Sequence, residues 1–397
     1  MAVRKGHKMF ALIHKGAFLW YTVQTMKIGI DVFGCNHGKS GLGSYLANLI
    51  NHLPHEQGVE FELFGEEIDR YTYKMSNDFP YHGISMSDTM RSLRFWHLFF
   101  ANGFAKKKGF DVVLYTAATR MLPVKFDVPG VAVVSDVATS VFSKHDSSTK
   151  SRIKRGLSTI DCIIVPSFYV KKNLEHAGVD CKRVEIVHNG IDHSFFFPIE
   201  TISESDTVDI KPFAIKKPYI IYASRMLGPE KKHVELIRAY SLFKERTGFP
   251  HRLVIAGGDV GNYGEEVRKA AYESRYASEI FITGFFPHES FPELYRNCAA
   301  CIFPAVNEGA GLTVLEAMAT GVPVACSKSG ALFETAGTHA LFFDSDDIDE
   351  MATCIERIIT DESLREKLID GGLEWAANFS WEKCAQETFD LLKSVSR

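Results

Sequence analysis

From residue 27 onward, short apolar runs bounded by polar or turn residues return again and again, with helical patterns between most of them. KIGIDVF (27–33), EFELF (60–64), DVVLYT (111–116), GVAVVSD (130–136) and DCIIVPS (161–167) form the first series. Strands that are apolar throughout, rather than alternating, belong to sheets covered on both faces. The intervening helices supply the crossovers that parallel strands need. The pattern breaks at residues 198–218, PIETISESDTVDIKPFAIKKP, which are polar and punctuated by proline, as a linker would be. A second series follows in YIIYAS (219–224), RLVIAG (252–257), EIFITG (279–284), ACIFP (300–304) and VPVACS (322–327). The expected fold class is therefore α/β, with two doubly wound, Rossmann-like domains. Their expected bounds are 26–200 and 218–378, with a linker over 201–217. Such sheets bind ligands beyond the carboxyl ends of their strands, so two opposed faces would make an interdomain cleft.

The chain has 397 residues, 46% of them hydrophobic, which is enough for two cores. Its net charge of −4 excludes a strongly basic nucleic-acid-binding face, so an anion site must come from local geometry. Eight scattered cysteines without framework spacing suit a reducing, cytoplasmic setting. Cys298 and Cys301 lack the second ligand pair of a zinc site and are read as core residues. No apolar run approaches the roughly 20 residues that span a bilayer. Residues 1–25 are basic at the start and largely apolar after it, without a cleavage pattern. They are read as an N-terminal extension or misassigned start, with a weak membrane-surface anchor as the competing reading.

The most informative stretch is FPAVNEGAGLTVLEAMATGVPVACS, residues 303–327. A strand ends at Pro304, a loop with Gly309 and Gly311 follows, and LTVLEAMA opens a helix that Gly321 and Pro323 stop. Glycines before a helix let backbone N–H groups approach an anion, and the positive end of the helix dipole favours phosphate there. Glu308 precedes the loop and Glu316 lies about one turn inside the helix, so both carboxylates can face one ligand. A carboxylate accepts from a pair of sugar hydroxyls with both oxygens. Glu308 would suit a transferred sugar and Glu316 a ribose diol; the plain alternative for Glu316 is an exposed helix glutamate.

In YIIYASRMLGPEKKHVELIRAY (219–240), a strand delivers Arg225 to its carboxyl end, and Lys231 follows a turn containing Gly228 and Pro229. Two fixed cations there can neutralise a diphosphate leaving group without a metal. Alone they would be a surface charge cluster. In HGKSGLGSYLANLI (37–50), Gly41, Leu42 and Gly43 precede a helix and offer a second phosphate cradle or a tight turn. The motif is not a dinucleotide fingerprint, because Leu46 holds the third glycine's place.

At these residues the chain resembles the family-4 retaining glycosyltransferases of the GT-B fold (group 1), from about Met26 to the C-terminus. NEGAGLTVLEAMATGVPV resembles that family's two-glutamate motif and SRMLGPEKKH its phosphate clamp, with one extra residue between the cations. SGLGSY resembles the N-terminal glycine loop. VPSFYVKKNLEHAGV through VEIVHNGID, and ITGFFPHESFPELYRNC, also agree. The resemblance implies a UDP- or GDP-linked sugar donor, an interdomain site, retention at the anomeric carbon, and neither metal nor cofactor. It places Glu308, Arg225 and Lys231 at the chemistry. Gly309, Ala310, Gly311, Leu312, Thr313 and Glu316 would bind the donor. It also implies a final helix, residues 379–397, that returns to the first domain. The expected partners are the nucleotide sugar and a glycan, lipid-linked or small-molecule acceptor. The expected location is the cytoplasm, with peripheral contact at the inner face of the membrane.

One position departs from the family. Where many members carry His-Asp, VAVVSDVATS places Ser135 before Asp136 on the acceptor side. Serine donates a hydrogen bond but carries no imidazolium charge. His37 and His145 are substitutes by position only. The departure is the one feature favouring a catalytically silent nucleotide-sugar-binding partner of another transferase. A glycosidase fits poorly, because it needs two carboxylates flanking the bond and no diphosphate cradle. The aromatic segment 91–111, RSLRFWHLFFANGFAKKKGFD, is read as a packing helix with a cationic end, or else as a contact with a lipid surface.

Overall fold

The computed structural model describes residues 7–14, 17–73, 79–199, 205–211, 213–259 and 261–396, with side chains from Thr25 onward. The chain divides into two units: Met1–Asn189 with Trp381–Arg397, and Gly190–Ser380.

The first unit is built on seven parallel strands: β1 (Met26–Asp31), β2 (Val59–Glu66), β3 (Tyr81–Ile84), β4 (Val112–Tyr115), β5 (Gly130–Val133), β6 (Cys162–Val165) and β7 (Val184–Ile186). Their order is β3-β2-β1-β4-β5-β6-β7. Strands β4, β5 and β6 are buried at every residue, which is why their sequences are apolar without alternation. The order reverses at β1, so the turn after β1 stands at the switch point where such folds take ligands. There the Ser40 hydroxyl accepts from the Gly43 N–H at 3.1 Å and caps the helix Gly41–His52. Gly41, Leu42 and Gly43 are therefore the helix's first turn. A Cβ on Gly43 would lie 2.6 Å from the Cys35 carbonyl oxygen, so only glycine fits beneath the preceding turn.

The helix Trp381–Val395 packs into this first unit. Trp381, Phe389 and Leu392 join its core, with the Trp381 ring edge-on to Tyr45 at 5.8 Å and Phe389 against Phe61 at 5.8 Å.

The second unit has six parallel strands: β8 (Tyr219–Ala223), β9 (Arg252–Ala256), β10 (Ile280–Gly284), β11 (Ala300–Phe303), β12 (Val324–Ser327) and β13 (Leu341–Phe343). Their order is β10-β9-β8-β11-β12-β13. Here the reversal falls at β8, between β9 and β11.

Two expected boundaries move. Residues 190–200, expected in the first domain, open the second unit: Ile191 and Phe196 lie in its core, and Arg296 donates to the Phe195 and Phe197 carbonyls at 3.0 and 2.8 Å. Within the expected linker, Thr207–Ile210 pairs with Phe213–Lys216 as an antiparallel hairpin. Its alternation buries Val208, Ile210 and Ile215 in the same core. Within the N-terminal extension, His7–His14 pairs with Ala17–Gln24 as an antiparallel hairpin. Cys298 and Cys301 approach to 3.7 Å between sulfurs and are free thiols.

Replacing Trp381 by Ala should lower the stability of the first unit by about 3–5 kcal/mol, as expected for truncating a buried aromatic. Urea unfolding followed by far-UV circular dichroism checks this. A loss below about 1 kcal/mol would mean that the returning helix is not part of that core.

Candidate active site

The turns after β8, β10 and β11 meet at the carboxyl end of the second sheet. Two buried serines fix the chain as it leaves β11. The Ser345 hydroxyl donates to the Pro304 carbonyl and the Ser327 hydroxyl to the Ala305 carbonyl, each at 2.5 Å. The Val306 N–H then donates to the Glu230 carbonyl at 2.9 Å and ties this turn to the one after β8. A third strut comes from the Ala331 N–H, which donates to the Glu308 carbonyl at 2.9 Å. Beside it, Gly330 has φ +67°, and a Cβ there would sit 3.0 Å from the Glu308 backbone. The backbone at Glu308 is thus held by the segment at Gly330 and Ala331.

Gly311 ends the loop at φ +66°, and Thr335 donates to the Ala310 carbonyl at 2.8 Å. The helix Leu312–Ala319 begins at once, with no side chain capping its first turn. Its N-terminal amides therefore keep the anion-binding character of an uncapped helix start.

Across the bound turns, Lys231 Nζ donates to Glu308 Oε2 at 2.6 Å. Lys231 is fixed from behind: its carbonyl accepts from the hydroxyl of buried Tyr222 at 2.9 Å. Adjacent Lys232 takes the left-handed conformation at φ +57° and turns away to Asp346 at 2.5 Å and Glu235 at 3.3 Å. The Asp346 hydrogen bond raises its ammonium above the ordinary lysine range. The backbone thus separates two lysines that the sequence presents side by side. Next to them, His233 is fully buried against Tyr222, and burial pushes it down to about 4, leaving it neutral. Arg225 stands exposed at the end of β8, without an ion pair among the described residues.

Glu316 is only 9% exposed, so it is not a solvated helix glutamate. His288, in the turn after β10, donates from Nε2 to Glu316 Oε1 at 3.2 Å. That hydrogen bond raises His288 above the ordinary histidine value, against the opposing effect of burial. Its ring stacks on Phe195 at 6.0 Å and meets Phe196 edge-on at 5.5 Å. His288 was not among the sequence candidates, because nothing in FFPHES marks it as a partner of a residue 28 positions away.

In the first unit, Ser135 and Asp136 follow β5 and are half-buried. Asp136 accepts from the Thr119 hydroxyl at 3.3 Å and pairs with Arg120 at 3.5 Å. Arg120 also donates to the Gly34 carbonyl at 3.1 Å, bridging the turns after β1 and β5. Neither candidate histidine has a free nitrogen. His145 Nδ1 accepts from Arg94 at 3.3 Å, which leaves Nε2 to donate to the Thr119 carbonyl at 3.1 Å. His37 donates to Asp69 at 2.8 Å and Asp88 at 3.2 Å, and the Asp69 bond raises it above the ordinary histidine value. His37, Glu66 and Asp69 are the one close group of metal-ligand type found among the described residues. Burial, with Asp88 and Asp69 nearby, pushes Glu66 up to about 7.

Two family models match successive parts of the chain: "Glycosyltransferase Family 4" over residues 39–195 and "Glycosyl transferases group 1" over residues 205–375. The chain belongs to the family-4, group 1 glycosyltransferases. Among similar proteins, the O-antigen chain mannosyltransferase B of Escherichia coli is 34% identical over 177 residues, covering 44% of this chain and 45% of that one. A D-inositol 3-phosphate glycosyltransferase of a Nocardioides species is 32% identical over 231 residues, covering 54% and 49%. The chain thus spans about half the length of these curated relatives. The structure of Anabaena HepE in complex with UDP and glucose superposes with a TM-score of 0.70 at 17% identity, covering 93% of this chain and 100% of that one. This likeness shows the GT-B fold class, with a Rossmann-like sheet in each unit.

His288 should titrate above an ordinary histidine in an NMR pH titration. The charged contact to Glu316 is present at low pH and is lost as pH rises through that raised value. In Glu316→Gln the midpoint should fall back toward about 6.5. An unchanged midpoint would show that the two side chains are not coupled.

Proposed function

We propose that this protein is a retaining glycosyltransferase that uses a UDP- or GDP-linked hexose and needs no metal. The observation that carries the reading is the Lys231–Glu308 pair, fixed across two turns at the uncapped start of the Leu312–Ala319 helix. A cation, a carboxylate and a row of amides around one point match the parts of a nucleotide sugar. In this reading Lys231, Arg225 and the amides of Gly309–Thr313 hold the diphosphate. Glu308 leaves Lys231 for hydroxyls of the sugar, and Glu316 leaves His288 for the ribose diol. The bond from the anomeric carbon to the phosphate oxygen breaks as the acceptor oxygen bonds to that carbon from the same face. The acceptor's proton passes to the departing phosphate, so the products are the glycoside and the nucleoside diphosphate. Fixed cations stabilise charge as it develops on the leaving oxygen.

The names of the relatives point to the biosynthesis of polysaccharide or glycoconjugate, and O-antigen mannosyltransferase B makes mannose the first sugar to try. The acceptor would be a glycan, a lipid-linked glycan or a small molecule. Ser135 supports the second reading, a silent binder of nucleotide sugar, because His37 and His145 are both engaged elsewhere. Release of nucleoside diphosphate from a panel of nucleotide sugars separates the readings, since a silent binder shows ligand-induced thermal stabilisation without turnover.

With the active donor at saturation, Lys231→Ala should lose about 10²- to 10³-fold in kcat while remaining folded. Activity within a few-fold of wild type would remove Lys231 from the site. Ser135→Ala should be much milder than Glu308→Gln, because a serine hydroxyl is far from the pKa useful for proton transfer. The reverse ranking would move the chemistry to the first unit. Turnover should persist in EDTA, and complete loss restored by Mg²⁺ or Mn²⁺ would overturn the metal-free reading.

A further inference from the structure

The helix Met90–Phe99 has two faces with different fates. One buries Leu93, Trp96 and His97: Trp96 packs on Phe33 at 4.9 Å, and His97 bonds Asp31 at 2.8 Å. The other carries Phe95 and Phe99, followed by Phe100, which are 57%, 62% and 54% exposed. Their rings touch one another, with centroids 4.8 Å apart for Phe95 and Phe99 and 5.9 Å for Phe95 and Phe100. The next helix, Ala101–Lys108, continues almost without a break, since the Phe104 N–H donates to the Phe100 carbonyl at 2.9 Å. Arg91 lies one turn before Phe95 on the first helix, Lys107 lies in the last turn of the second, and both are exposed. Arg91 and Lys107, before and after the phenylalanines, make no ion pair among the described residues.

Three contiguous exposed phenylalanines form an apolar patch of the kind that often marks an interaction site. Core packing does not explain them, because the opposite face already supplies the core contacts. From the phenylalanine cluster and its flanking cations, we infer that this face lies in the surface of a bilayer containing anionic lipid. The rings would enter below the headgroups, with Arg91 and Lys107 at the phosphates on either side. The charge decides the occupant: a chain of net charge −4 has no general attraction for anionic membranes, yet this apolar patch has a cation before and after it. A second copy of the chain would bring the same cations against each other. No described helix is long and apolar enough to cross a membrane, so the contact would be peripheral. The surface needs no nucleotide sugar, and its test is independent of the transferase reading.

Sedimentation with vesicles of phosphatidylcholine alone, or of phosphatidylcholine mixed with phosphatidylglycerol, tests the inference. Wild-type protein should bind the mixed vesicles, more weakly as salt rises. The variant Phe95→Ser/Phe99→Ser/Phe100→Ser should bind on the order of tenfold or more weakly. Removing Arg91 and Lys107 as Arg91→Gln/Lys107→Gln should cost about fivefold per cation on the mixed vesicles only. Unchanged circular dichroism and melting temperature establish that both variants fold, as expected for exposed positions. Equal binding by wild type and the phenylalanine variant, or no binding to either vesicle, overturns the inference. A wild-type dimer that this variant turns into a monomer, without vesicle binding, assigns the face to a second copy instead.

Discussion

The ion pair between Lys231 and Glu308 is the contact around which the carboxyl edge of the second unit's sheet is arranged. Its side chains are only 16% and 31% exposed, so each charge has lost part of its hydration and would be costly to leave alone. The surrounding struts keep the partners in register: the Val306–Glu230 bond joins the two turns, Ala331 and Gly330 hold the Glu308 backbone, and Tyr222 holds the Lys231 carbonyl. A pair fixed from behind can exchange partners at its front with little reorganisation. In the proposed reading, an anion would replace the carboxylate at the ammonium, and hydroxyls would replace the ammonium at the carboxylate. Glu316 and His288 form a second pair of this kind, with a titratable partner in place of a lysine.

Much of this was legible in the sequence because it depends on local chemistry. Ten strand cores could be placed from apolar runs, since buried parallel strands cannot alternate. The motif at 303–327 carried its own punctuation in Gly309, Gly311, Gly321 and Pro323. What could not be read depends on distance along the chain. Strands β3, β7 and β13 lie at sheet edges, are three or four residues long and only partly buried, and so leave little pattern. The hairpin at 207–216 looked like a linker because its polar residues alternate with the few that reach the core. Lys231 and Lys232 are alike in sequence, and a left-handed backbone at Lys232 alone directs them to different partners. His288, in the turn after β10, and Thr335, in the short helix Leu332–Ala336, reach the candidate site from segments that no spacing connects to it.

The first unit shows the same dependence at Ser135. The missing imidazole is not restored by His37 or His145, whose nitrogens are all committed. Arg120 instead places a fixed cation between the turns after β1 and β5, hydrogen-bonded to Gly34 and paired with Asp136. The uncapped face of that region is smaller than the sequence suggested: Ser40 already caps the Gly41–His52 helix, and Gly43 is required by close backbone packing. These features set the first unit's switch point apart from the second unit's, where the helix start carries no cap.

The most direct measurement is a crystal structure with an intact nucleotide sugar or its nucleoside diphosphate. The account predicts the diphosphate at Lys231 Nζ and the amides of Gly309–Thr313, with the Lys231–Glu308 bond broken and Glu316 turned from His288 to the ribose. A diphosphate seated instead at Gly41–Gly43 of the first unit, with the Lys231–Glu308 pair intact, would contradict it.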